Sequence, residues 1–201
     1  MELSPTDIDA RLSARLKDLR QERGLTLDAL AQRAGVSRSM ISLIERGESS
    51  PTASVLDRLA AGLGVTLASL FAERGRAEAS PICRRADQAQ WRDPGTGYVR
   101  RNLSPPGYPS PLELVEVVFP PGARVAYDGG PRAAAVQQQV YVLEGAITLT
   151  VGPDTHTLAT GDCLAMRLDQ PVSFHNPGDQ PARYLVALAT EGAWAGANTK
   201  R

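Results

Sequence analysis

Near residue 75 the chain changes rhythm, and that change places two different folds on one polypeptide. Before it, apolar residues fall at helical spacing and proline occurs only at Pro5 and Pro51. Beyond it, Pro and Gly cluster between short alternating or β-branched runs. A helical stripe repeats every 3.6 residues and a strand face every second residue, so one pattern cannot serve both. The segment Ala72-Glu73-Arg74-Gly75-Arg76-Ala77-Glu78-Ala79-Ser80-Pro81 is polar, small and closed by proline, as a linker would be. The expected organisation is a two-domain α + β chain: a helical domain over 1–72, a linker over 73–81 and an all-β domain over 82–201.

Five short helices are predicted in the first part. Ile8, Leu12, Leu16 and Leu19 form one amphipathic stripe that ends near Gly24. Thr26 caps a second helix bearing Leu27, Leu30, Ala31 and Ala34, stopped by Gly35. Ser37 caps a third, with Met40, Ile41 and Ile44, which ends at Gly47. A fourth starts at Pro51-Thr52, carries Val55, Leu56, Leu59 and Leu63, and stops at Gly64. Thr66 to Phe71 is the last.

The spacing of Ala31, Gly35, Val36, Ile41 and Ile44 is what two crossing helices need. A small residue lets the axes approach, Gly35 permits a left-handed turn, and the apolar residues lock the second helix onto the first. The run LAQRAGVSRSMISLIERGESSPTASVLDRLAAGLGVTLASLF resembles the phage-repressor-like (XRE/Cro-type) helix-turn-helix family. That resemblance implies major-groove docking by the helix that begins near Ser37. Its expected DNA contacts are Ser37, Arg38, Ser39, Met40, Ser42, Arg46 and Thr52. Arg38 can pair bidentately with guanine, the serines are less discriminating, and Met40 can touch a thymine methyl. Arg46 matches the family's phosphate-contacting position; Ser49, Ser50 and Thr52 can add hydroxyl or backbone contacts at a helix start. Arg46 can equally pair with Glu45 or Glu48 on the surface. Leu27 stands where the family often has glutamine, which trims the DNA surface of the second helix.

The second part reads as strands at Leu112–Phe119, Val140–Val142, Ile147–Val151, Cys163–Met166 and Tyr184–Leu188, separated by turn formers. PPGARVAYD, VYVLEGAITLTVG, TLATGDCLAM and QPVSFHNPGDQPARYLVAL resemble the two motifs of the cupin superfamily, which implies a small β-barrel. Metal-bearing cupins use three histidines and a glutamate, whereas this chain has two histidines, His156 and His175. Alignment on Gly145 and Pro171 puts Gln138 and Val172 at ligand positions. The window from Asp128 to Ala134, where paired histidines would fall, has none. Strand alternation turns His175 away from the face shared by 172 and 174. No metal and no cofactor are expected.

An emptied pocket can still take a small organic molecule. Tyr127, Arg132, Gln138, Tyr141 and Met166 are its candidate ligand-binding residues, with Arg124, Arg167 and Arg183 assigned to the surface. Cys83 and Cys163 lack C-x-x-C spacing, so they read as free thiols. Twenty-two basic residues balance twenty-two acidic ones, and bulk charge therefore argues for no partner. No signal peptide or membrane-length apolar run is seen, so a cytoplasmic location is expected. The resemblances imply a homodimeric transcription regulator, not an enzyme, that binds a palindromic double-stranded operator and a small-molecule effector, without a membrane. A cupin enzyme with a fused helix-turn-helix domain, or an antitoxin-like binding module, are the alternatives.

Overall fold

The computed structural model of the chain describes residues 5–71, 79–128 and 136–190. Helix α1 spans Pro5–Glu22, α2 Leu27–Ala34, α3 Arg38–Glu45 and α4 Ala53–Leu63. Local chemistry sets their ends. The Thr26 hydroxyl accepts from the Ala29 N–H at 3.1 Å and the Ser37 hydroxyl from Met40 N–H at 3.2 Å, each satisfying an orphan donor at a helix start. Gly35 ends α2 at φ 62°, the left-handed geometry that turns the chain into α3. Leu12, Leu16, Leu30, Ile41, Ile44, Leu56 and Leu59 are fully enclosed between the four helices. Gly62 lets α4 cross α2 closely, since a Cβ there would lie 3.0 Å from that of Ala34. Arg20 of α1 grips Glu45 of α3 through two hydrogen bonds of 2.6 and 2.7 Å, which holds the third helix in place.

The fifth predicted helix is corrected. Ala68–Phe71 is one turn of 3-10 helix, opened by Thr66, whose hydroxyl accepts from Ser69 N–H at 3.1 Å. Five apolar or small residues following a turn are too few to propagate α-helical bonding.

Ten strands follow: β1 Gln90–Arg92, β2 Val99–Asn102, β3 Leu112–Phe119, β4 Arg124–Tyr127, β5 Val136–Glu144, β6 Ala146–Val151, β7 Asp154–Ala159, β8 Cys163–Arg167, β9 Val172–His175 and β10 Ala182–Thr190. They form two antiparallel sheets, ordered β1-β2-β3-β10-β5-β8 and β4-β9-β6-β7. The sheets meet face to face, Phe174 of one stacking on Tyr184 of the other at 5.8 Å. The expected closed barrel is therefore corrected to two facing sheets. The hydrogen-bond ladders of β8 and β7 end at β5 and β6, and no ladder joins the sheets among the described residues.

The two domains pack against each other. Asp93, in the turn between β1 and β2, accepts the Ala53 N–H at 2.8 Å and so caps α4, a service the Thr52 side chain does not perform. The Thr66 hydroxyl donates to Glu113 of β3 at 2.8 Å. Phe71 continues into an aromatic chain, meeting Trp91 at 5.6 Å; Trp91 meets Tyr98, and Tyr98 meets Phe119 and through it Tyr184. Most of the expected linker, residues 73–78, lies outside the described residues, as does residue 72 before it.

Candidate DNA-reading face and the cavity behind it

The Ser37 cap turns the start of α3 outward, so Ser37, Arg38, Ser39 and Met40 are all exposed in one row. Ile41 and Ile44, on the opposite side, are wholly buried and fix the helix under that row. Arg38 is 64% exposed and lies 3.3 Å from the Asp28 carboxylate of α2, itself 76% exposed. So open a pair is weakly held, and the guanidinium is free to reorient. Arg46 closes the row. It binds Glu48 bidentately at 2.7 and 2.8 Å and also donates to the Ser42 hydroxyl. The Arg46 hydrogen bonds hold the Glu48 carboxyl below its usual range, so this pair stays ionised.

Ser37, Arg38, Ser39, Ser42 and Arg46 thus share one surface, with Met40 at its edge beside Ser49. Thr52 stands apart. A Cβ on Gly95 of the β domain would lie 3.3 Å from its methyl group, and its hydroxyl is 3.2 Å from that of Ser54. The start of α4 faces the β domain because Asp93 holds its leading N–H.

Behind the helical domain the two sheets enclose a cavity of about 60 Å³. Tyr127 and Gln138 line it, as the motif positions suggest, together with Val172 from the second sheet. Met166 is buried next to Gln138 in the ladder but does not reach the cavity. Tyr141 is 42% exposed on the outer face: residues 136, 138, 140 and 142 of β5 point inward, and an odd-numbered neighbour cannot. Arg132 lies outside the described residues.

Most of the lining was not singled out in the sequence, Tyr98, Arg100 and Tyr184 among it. Tyr98 and Arg100 come from the short strand β2 and its approach, and Tyr184 from β10. The alternation of Tyr98 and Arg100 was the available signal. Arg100 is 6% exposed, and its guanidinium lies 5.6 Å over the Phe71 ring. Burial lifts the phenol of Tyr98 above its ordinary range and those of Tyr127 and Tyr184 well above it, against the opposing pull of Arg100. All three are therefore neutral hydrogen-bonding groups near neutrality, and the Tyr98 and Tyr127 hydroxyls lie 3.3 Å apart. The wall is completed by further β-domain residues, among them Val117, Phe174 and Val186, and by Asp57 of α4, Thr66 and Leu67 from the other domain.

His156 is exposed and His175 half-buried, while Val172, Phe174 and Asn176 are buried on the inner face. Among the described residues no group of three or more His, Cys, Asp or Glu side chains is gathered as a metal cage would require. Cys163 is exposed, Cys83 half-buried, and neither is in a disulfide. No helix among the described residues is long and apolar enough to cross a membrane.

A capped, exposed helix over a buried apolar seat, joined to a β domain of two facing sheets, is the make-up of a two-domain helix-turn-helix protein. The helix-turn-helix family model matches residues 16–70 and the cupin domain model residues 115–188. The HTH-type transcriptional regulator SutR of Escherichia coli (strain K12) is 31% identical over 173 residues, 86% of this chain and 91% of that protein. The regulator PuuR of the same organism is 29% identical over 175 residues, with the same shares. The crystal structure of an HTH_3-family transcriptional regulator from Vibrio cholerae superposes with a TM-score of 0.74 and 28% identity, covering 92% of this chain and 98% of that one. The chain belongs to the HTH-type transcriptional regulators that carry a C-terminal cupin domain. DNA-binding regulation of transcription is its function, and both resemblances drawn from its motifs are borne out.

Proposed function

We propose that this regulator is a homodimer whose α3 helices read the two halves of a palindromic operator, and that a small organic molecule in the cupin cavity sets its affinity for DNA. It acts by binding, without a metal and without a catalysed reaction. One observation carries the reading: Asp57, Thr66 and Leu67, from the DNA-binding domain, complete the wall of the cavity. A molecule that fits one placement of that wall better than another favours one domain arrangement, and that difference in affinity is what couples the sites. Ser37, Arg38, Ser39, Met40, Ser42 and Arg46 form the reading surface. Thr52 serves the domain junction instead, and the half-buried Tyr127 and inward Gln138 remain the effector contacts among those expected.

A larger side chain at the wall imitates occupancy. Leu67→Trp, with Leu67→Phe as a milder form, is expected to change affinity for the chain's upstream DNA by about tenfold, a typical coupling between linked sites. Unchanged affinity in a variant that still unfolds cooperatively would contradict the coupling. Native mass spectrometry reports the rest, where the reading expects twice the 21.4 kDa chain and an organic adduct. A monomer, or one transition-metal ion per chain, would overturn it.

A further inference from the structure

Strand β2 carries two adjacent arginines with opposite fates. Arg101 points to one face of the sheet, where Glu116 of β3 meets it at 3.0 Å. Alternation sends Arg100 to the other face, beside Val117 and into the cavity. There its Nε and Nη2 atoms are buried and have no hydrogen-bond partner among the described residues. An arginine keeps its charge at any working pH, and a buried guanidinium with unanswered donors is costly. Nε–H and Nη2–H form one edge of the guanidinium plane, two parallel donors at the spacing of a carboxylate's two oxygens.

We infer that the cavity is the receptor site for a small monocarboxylate, held bidentately by the Nε–H and Nη2–H of Arg100, with its apolar body against Tyr184 and Val172. This rests on the reading of the cavity as an effector site and names the chemistry of the effector. Asp57 brings a carboxylate to the same cavity and so disfavours any second negative charge on the ligand. The volume of about 60 Å³ admits only a compact molecule without displacing Leu67. Gln138 and the neutral Tyr98 and Tyr127 hydroxyls can donate to the remaining lone pairs. Arg100 also lies over Phe71, at the end of the DNA-binding domain. A carboxylate on the guanidinium partly neutralises the charge that this ring attracts, so ligand charge is felt directly at the domain junction.

Isothermal titration of the full chain tests the assignment with acetate, propionate and isobutyrate, against propionamide, isobutyramide, isobutylamine and inorganic phosphate. At least one carboxylate is expected to bind, with its amide, amine and phosphate counterparts at least tenfold weaker. Arg100→Met is expected to weaken that binding about 10- to 100-fold, the loss of charged hydrogen bonds. Arg100→Lys, which keeps the charge and loses the fork, is expected to fall between the two. Failure of every carboxylate, stronger binding of an amide, the amine or phosphate, or a Met variant that binds as well as wild type overturns the assignment. The first arm uses the unaltered chain and holds whatever the variants do. The receptor reading itself stands or falls separately, on the operator titration of Leu67→Trp.

Discussion

Arg38 and Arg46 open and close the same exposed row, yet the free protein treats them differently. Arg38 is loosely answered by Asp28 at 3.3 Å, while Arg46 is gripped at Nε and Nη2 by Glu48. A DNA phosphate must therefore compete with a carboxylate for Arg46, and that carboxylate adds a like charge to the surface DNA approaches. Glu48→Gln is expected to tighten binding to any duplex several-fold at low salt, with the gain shrinking as salt rises; anisotropy titrations on two unrelated duplexes measure it. No gain at about 0.05 M salt would mean that Arg46 is not a phosphate contact. The pairing with Glu48 was one of two partners readable from neighbouring positions in the chain. The other, Glu45, points inward to Arg20, a choice made by packing and invisible at that spacing.

Helices α1 to α4 were legible because their caps, glycine stops and apolar stripes agree with one another. The five strands read from the sequence are those dominated by apolar residues, and β3 was placed to the residue. The others lack that signal for physical reasons. Strand β7, Asp154–Ala159, is an exposed edge with one buried residue, and β1 and β2 are short and rich in arginine. That gap hid Arg100, the most consequential residue of the cavity, and Asp93, which caps a helix about forty positions earlier in the chain. Asp93 is 2% exposed and accepts from Thr96 N–H at 2.8 Å and its hydroxyl at 2.6 Å besides Ala53. Asp93→Ala is expected to cost about 1–3 kcal/mol in urea unfolding, because it strands buried donors at the head of α4. Thr52→Ala, at the position a cap would ordinarily occupy, is expected to stay within about 0.5 kcal/mol. The reverse ranking would show that α4 is capped within its own domain.

At the scale of the whole molecule, the two domains share one aromatic chain from Phe71 to the buried tyrosines. Those phenols make the assembly alkali-sensitive. Their folded-state pKa values are raised above the ordinary value near 10, so their contribution is fully present below pH 10. It is lost as pH rises further, since the unfolded chain ionises first. Stability is expected to be insensitive to these groups from pH 7 to 9 and then to fall, with tyrosinate absorbance near 295 nm rising in step with unfolding. Ionisation of all the tyrosines while the fold remains intact would show that the cluster is open to water. In the proposed function α3 reads DNA sequence on behalf of the whole two-domain chain. Fluorescence anisotropy with the chain's own upstream DNA, at about 0.15 M salt, tests it most directly. Binding at least about a thousandfold tighter than to scrambled duplex is predicted, with Arg38→Ala costing about 1–3 kcal/mol on the specific site and little on the scrambled one. Equal affinity for the two duplexes, or an Arg38→Ala variant that binds as tightly as wild type, would contradict it.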